Sequence, residues 1–295
     1  MPTAAHTTTA KLNWSSWPAG EKPWLHINEP PAGEKRTNVT YVPHETTITD
    51  IRGQEGLTLD SVGFEALLDG SAPTSLTPDD FNDDAKIEST YYPEVVETLK
   101  RVTGGHRVLA DAADHTIRRL PPPGVEVPDT PQTRQPVAMV HVDQTPSSAV
   151  ARVQRHLGDD AEELLKGRVR LINLWRPITD HPVYDRPLAF ADFNTLPIDK
   201  LQPSDLIYSP TNIGETLAVA YSPETRWYYL RHQTIGEATI LKCYDGSSIA
   251  TPEAQAKNPG IAALTPHTAF IDDEYVGKDV PRRASIEVRA LVFGG

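Results

Sequence analysis

Residues 137–178 read VAMVHVDQTPSSAVARVQRHLGDDAEELLKGRVRLINLWRPI. An apolar run, Val137–Val140, ends in His141-Val142-Asp143. A helical stretch over 147–167 follows, and the apolar-rich run VRLINLWRPI then reads as a central strand. Further short β runs are predicted at 189–193, 206–208, 216–221, 226–230, 238–242, 262–265 and 285–293, each bounded by Gly, Pro or Asp. Many short strands with one intervening helix predict a mainly β fold with flanking helices. The architecture expected is a sandwich or jelly roll, not a βαβ sheet.

Upstream, Arg107–Ala110 predicts a buried strand, and TYYPEVVETLKRVT at 90–103 sets Val95, Val96, Leu99 and Val102 at helical spacing before a Gly104-Gly105 stop. The β-branched run NVTYVPHETTITDI at 38–51 predicts one or two strands. Residues 120–136, with three consecutive prolines, predict a loop. Residues 1–37 carry Pro18, Pro23, Pro30 and Pro31 and are expected to form an extended N-terminal arm over the core. No internal repeat of solenoid length is present.

With 28 basic and 40 acidic side chains among 295 residues, the formal charge of −12 argues against nucleic acid as a partner. The hydrophobic share is 38%, and 27 prolines exceed the usual ~5% background, which predicts much loop around a compact core. One cysteine, Cys243, excludes a disulfide-stapled scaffold and fits a reducing compartment. The first twenty residues lack a signal-peptide apolar stretch, and no run approaches ~18 apolar residues. The expectation is a cytoplasmic protein with no membrane partner, a homo- or hetero-oligomer being left open. The sequons at Asn13 and Asn38 carry no weight without an export signal.

Dinucleotide, P-loop, hydrolase-elbow, zincin and paired C-x-x-C motifs are all missing. What remains is His141-Val142-Asp143. Residues two apart on a strand share a face, so this imidazole and carboxylate can converge on one metal. The candidate third ligand is His267, 126 residues on, in ALTPHTAF. Two imidazoles and a carboxylate on one face of an octahedral ion leave three positions open, which suits ferrous iron and dioxygen; a hydrolytic zinc site could use similar ligands. His106, His115, His156, His181 and His232 lack a carboxylate partner at useful spacing and are read as ordinary histidines.

An iron enzyme with a 2-oxo acid cosubstrate must also hold the far carboxylate of that molecule, a task suited to arginine. In Arg283-Ala-Ser-Ile-Glu-Val-Arg-Ala-Leu-Val-Phe, alternation puts Arg283, Ser285, Glu287 and Arg289 on one face and Ala284, Ile286, Val288 and Ala290 on the other. A polar cavity fits this pattern, as does a solvent-facing edge strand. Asn173 is assigned to the cavity because a buried amide needs partners. Trp175, Arg176, Tyr229 and Lys242 are the substrate-facing candidates. Against them, Trp175 also reads as core packing and Lys242 as snorkelling to an edge or pairing with Asp245. Trp227 and Tyr228 read as packing, and Cys243 as a small buried hydrophobe.

The segments RVLADAADHTIRR (107–119), VHVDQT (140–145), NLWRPI with PLAFAD (173–192), RWYYLRHQTIGEATILKCYDG (226–246), TPHTAF (265–270) and RRASIEVRALVF (282–293) together resemble the non-haem Fe(II), 2-oxoglutarate-dependent oxygenases. Within them the likeness is to the fungal and bacterial hydroxylase/desaturase group that includes a cephalosporin methoxylase component. The resemblance implies a double-stranded β-helix (jelly-roll, cupin-like) core, a single domain over 38–295 with an N-terminal α/β elaboration. It implies Fe(II) on His141, Asp143 and His267, and 2-oxoglutarate on Arg283 with Ser285. The interval from His267 to Arg283 is longer than usual in that superfamily, so Arg289 and Arg282 stand as alternative anchors. The implied activity is dioxygenase chemistry with O2, through a ferryl-oxo species, that hydroxylates, desaturates or cyclises a small-molecule substrate of specialised metabolism. The alternatives are a non-catalytic jelly roll that binds a ligand or partners a catalytic subunit, and a cupin-like enzyme without 2-oxoglutarate.

Overall fold

The computed structural model describes residues 5–122, 124–128, 130, 133–248 and 260–295. In chain order the strands are β1 (Thr7–Ser16), β2 (Trp24–His26), β3 (Thr40–Asp50), β4 (Phe64–Leu67), β5 (Arg107–Arg119), β6 (His141–Val142) and β7 (Val169–Pro177). They continue as β8 (Leu188–Ala191), β9 (Leu201–Ser209), β10 (Asn212–Val219), β11 (Trp227–Tyr229), β12 (Ala238–Asp245), β13 (His267–Ala269) and β14 (Ala284–Phe293). The two longer helices are α1 (Tyr92–Thr103) and α2 (Pro146–Leu157). A nine-stranded sheet runs β1-β3-β11-β8-β13-β6-β10-β9-β2, and a five-stranded sheet runs β4-β12-β7-β14-β5. They form a double-stranded β-helix jelly roll.

Side-chain alternation builds three layers. On β14, Ile286, Val288 and Ala290 are fully buried; with Ile172 and Leu174 of β7 and Ile240 of β12 they pack against Tyr92, Val95 and Leu99 of α1. Those helix residues recur at three- and four-residue intervals, so one face of α1 covers the back of the five-stranded sheet. Gly104 stops the helix at φ 68°, a left-handed conformation that favours glycine. The opposite sheet face looks inward. There Phe64, Trp175 and Leu241 meet Phe190 and Leu188 of the nine-stranded sheet, while Val153 of α2 packs with Leu171, Cys243, Leu291 and Phe293 towards one end.

The structure corrects three expectations. The N-terminal segment, expected as an extended arm over the core, is a packed sheet strand over Thr7–Ser16: β1 pairs with β3 through ten residues and buries Ala10, Leu12 and Trp14. Its alternating burial is a strand pattern that the flanking prolines obscured. The helix expected over 147–167 ends at Leu157, because Gly158 adopts φ 51° and ψ −121° and short turns follow. The start is set by Thr145, whose hydroxyl accepts the Ser148 N–H. Finally, residues 262–265 are a buried connection and the strand begins at His267. Pro266 breaks the ladder on its donor side, though its carbonyl still accepts from Ala191 N. Among the described residues no helix is long and apolar enough to cross a membrane.

Candidate active site

His141 pairs with Ala218 of β10 on one side and with His267 of β13 on the other. Directly opposed residues share a sheet face, so register alone brings the two imidazoles together; their ring centroids are 4.4 Å apart. Asp143 follows just past the end of β6. Its Oδ1 lies 3.3 Å from His141 Nε2 and 3.9 Å from His267 Nε2, and one ligand atom from each of the three side chains falls within 4.8 Å of the others. His141 Nδ1 donates to the Met139 carbonyl at 2.9 Å, and His267 Nδ1 to the Thr265 carbonyl at 3.1 Å. A carbonyl only accepts, so each Nδ1 carries the proton and each Nε2 lone pair faces the carboxylate. Burial, with His141 alongside, pushes His267 down to about 4, leaving it neutral at physiological pH. Burial alone would raise Asp143, but the Arg289 guanidinium beside it holds it well below the carboxylate range.

The second feature is Arg283, only 2% exposed. Its Nε donates to Ser285 Oγ at 3.1 Å, another nitrogen donates to the Arg186 carbonyl, and the guanidinium lies 4.9 Å from the centroid of the Trp175 ring. Among the described residues no carboxylate bonds to it. Burial, with Arg118 nearby, pushes its pKa down to about 9. A dry guanidinium without an anion is a site for one. This cation and the two Nε2 atoms facing one carboxylate oxygen fit 2-oxoglutarate and Fe(II), respectively.

The remaining candidates separate by sheet face. Asn173 and Arg289 do reach the interior, but both bond to Asp143: Asn173 Nδ2 to Oδ2 at 2.6 Å and an Arg289 terminal nitrogen to Oδ2 at 2.9 Å. Arg282 makes a surface ion pair with Asp185 at 2.6 Å, so the structure places it away from the cavity. Arg176 lies on the helix side, donating to Tyr91 Oη, the Ala72 carbonyl and the Ile235 carbonyl. Its expected substrate-facing place is corrected, because Trp175 next to it takes the inward position. Tyr229 is also corrected. It packs with Phe270 on the far face of the nine-stranded sheet, while Tyr228, paired with Phe190, lies 5.6 Å from the Phe64 ring on the inner side. Lys242 is fully buried between Asp60 at 2.7 Å and Asp245 at 2.8 Å, and so is corrected from substrate-facing to structural.

Sequence reasoning passed over two neighbours. Glu287 lies inside, 3.5 Å from Arg289, and burial, with Asp143 near, raises its pKa; alternation along β14 already placed it on this face. Arg118 opposes Ser285 across the β5–β14 ladder, a register that the sequence does not display.

A profile of the family described as "Oxidoreductase/YMDC permease-like domain" matches residues 12–293. The Fe(II)/2-oxoglutarate-dependent dioxygenase nvfI of Aspergillus novofumigatus is 33% identical over 280 residues, covering 94% of this chain and 93% of that one. The hydroxylase/desaturase efuI of Hormonema carpetanum is 31% identical over 276 residues, covering 87% and 86%. A solved structure of the iron and alpha-ketoglutarate-dependent endoperoxidase NvfI, 28% identical, superposes with a TM-score of 0.81 over 99% of this chain and 100% of that one. Likeness over nearly the whole length of these enzymes, together with a His-Asp-His cluster assembled from three separate segments, decides against a non-catalytic jelly roll: the chain matches that described oxidoreductase family and is an Fe(II)/2-oxoglutarate-dependent dioxygenase, an enzyme that uses Fe(II), 2-oxoglutarate and O2.

Proposed function

We propose that His141, Asp143 and His267 hold Fe(II), that Arg283 with Ser285 takes the far carboxylate of 2-oxoglutarate, and that the enzyme hydroxylates, desaturates or cyclises a small specialised metabolite. The observation that carries this reading is the convergence of two Nε2 atoms on Asp143 Oδ1, together with a buried arginine at the head of β14 that has no carboxylate partner among the described residues. The iron and its cosubstrate, with O2, supply the oxidising power; the protein supplies placement. The Met139 and Thr265 carbonyls fix the imidazole tautomers. Arg283 is held in place by Ser285 Oγ and the Trp175 face, so little of its freedom is lost when it clamps an anion. The apolar wall of Phe64, Phe190, Trp175 and Leu241 excludes water, strengthening the arginine–carboxylate contact and protecting the reacting centre.

The names of the similar proteins, a dioxygenase, a hydroxylase/desaturase and an endoperoxidase, support oxidation of a small molecule. The charge of −12 supports the absence of a nucleic-acid partner, and the free buried Cys243 supports work in the cytoplasm. The test is Asp143→Ala. Fe(II)-dependent conversion of 2-oxoglutarate to succinate should vanish, and turnover at the wild-type rate would refute the ligand set.

A further inference from the structure

We propose that Asn173 and Arg289 form a clamp on Asp143 that keeps this carboxylate a one-oxygen ligand. The proposal rests on the reading of Asp143 as a metal ligand. Its two oxygens have different company. Oδ1 faces the imidazole nitrogens, 3.3 Å from His141 and 3.9 Å from His267. Oδ2 accepts from Asn173 Nδ2 at 2.6 Å and from an Arg289 terminal nitrogen at 2.9 Å, with the Cys243 thiol a further donor at 3.8 Å. The donors also brace each other, since Arg289 Nε donates to Asn173 Oδ1 at 3.2 Å. Asn173 and Arg289 are direct partners in the β7–β14 ladder, so sheet register fixes their spacing.

A free carboxylate can chelate a metal through both oxygens. Here the second oxygen is already engaged, and turning it towards the imidazoles would break both charge-assisted hydrogen bonds. A cation bound through one oxygen of Asp143 would keep more of its sphere free for a cosubstrate and dioxygen than one chelated by both oxygens. Asn173 and Arg289 are therefore positioning residues that act through Asp143, and Arg283 remains the anchor for the cosubstrate.

The experiment compares Asn173→Leu, Arg289→Met, the double variant and the conservative Arg289→Lys with wild type. Each is assayed anaerobically for Fe(II) affinity and for the visible charge-transfer band of the Fe(II)/2-oxoglutarate complex. Asn173→Leu changes no charge, so its loss of orientation should weaken Fe(II) binding about tenfold, the lower end for outer-shell partners. The double variant should lose or shift the band at saturating Fe(II), and Arg289→Lys should retain it. Thermal melting of the metal-free proteins identifies any variant that fails to fold, and the others then carry the comparison. The clamp is overturned if the folded variants keep wild-type Fe(II) affinity and an unchanged band. It is equally overturned if Arg289→Met only raises the 2-oxoglutarate concentration needed for the band, because Arg289 would then be the anchor. Failure of the wild-type protein to bind Fe(II) would instead sink the ligand assignment itself.

Discussion

Arg283 and Arg282 are adjacent in sequence and opposite in circumstance. One is buried against Trp175 with no carboxylate partner among the described residues, and the other is paired with Asp185 at the surface. A charge-assisted hydrogen bond lost from a dry site costs about 2–3 kcal/mol, or ~30–150-fold in binding. Arg283→Met should therefore raise the 2-oxoglutarate concentration for half-maximal succinate formation by about that factor, while Arg282→Met should leave it within twofold. Tyr229 gives the complementary case. Its hydroxyl is buried without a hydrogen-bond partner among the described residues. Deleting an unsatisfied polar group costs nothing and relieves desolvation. Tyr229→Phe should keep full activity and hold or raise stability, by up to about 1 kcal/mol in urea unfolding.

At the level of the strand, period-two alternation explains both what was legible and what was misread. The pattern of β14, polar at 283, 285, 287 and 289 and apolar at 286, 288 and 290, is visible in the sequence, and the helix-facing set is fully buried. On β7 the same rule forbids Trp175 and Arg176 from facing one cavity, so assigning both to the substrate contradicted the strand itself. Arg176 instead ties three elements together from behind the sheet, reaching Tyr91, Ala72 and Ile235. Arg176→Met should lower stability by about 2–4 kcal/mol in urea unfolding, since it strands buried acceptors, yet leave the 2-oxoglutarate requirement unchanged. On β11 the alternation is equally clear, but the short run WYY does not say which side is inward. That was set by pairing Tyr228 with Phe190.

Across the whole molecule, one end of the five-stranded sheet carries an ionic network that ties the segment before β4 to β12 and to the start of β7. Asp245 accepts from Lys242 Nζ at 2.8 Å and from Arg168 at 2.6 Å, and Asp60 bridges the same two cations. Burial opposes ionisation of Asp245, but these partners win and lower its pKa to about 2. A folded value below the unfolded one, ~3.9, gives stability that is complete above about pH 4 and is lost as pH falls towards 2. The contribution is about 2 kcal/mol. Urea unfolding at pH 6 and pH 3 should show acid destabilisation that includes about half of this share, ~1 kcal/mol, because pH 3 still lies above the folded value, and Asp245→Asn should remove that part of the pH dependence while lowering stability at pH 6. By itself the sequence determined the β-rich class, a helix closing at Gly104-Gly105, the same-face spacing of His141 and Asp143 and the alternation of polar and apolar positions along β14, because each rests on local periodicity or spacing. Only the tertiary structure decided that His267 opposes His141, that Asn173 and Arg289 both grip Asp143, and that Lys242 is neutralised by Asp60. Those contacts join residues 30 to 182 positions apart. They depend on strand register, where a slip of one residue sends every side chain to the other face.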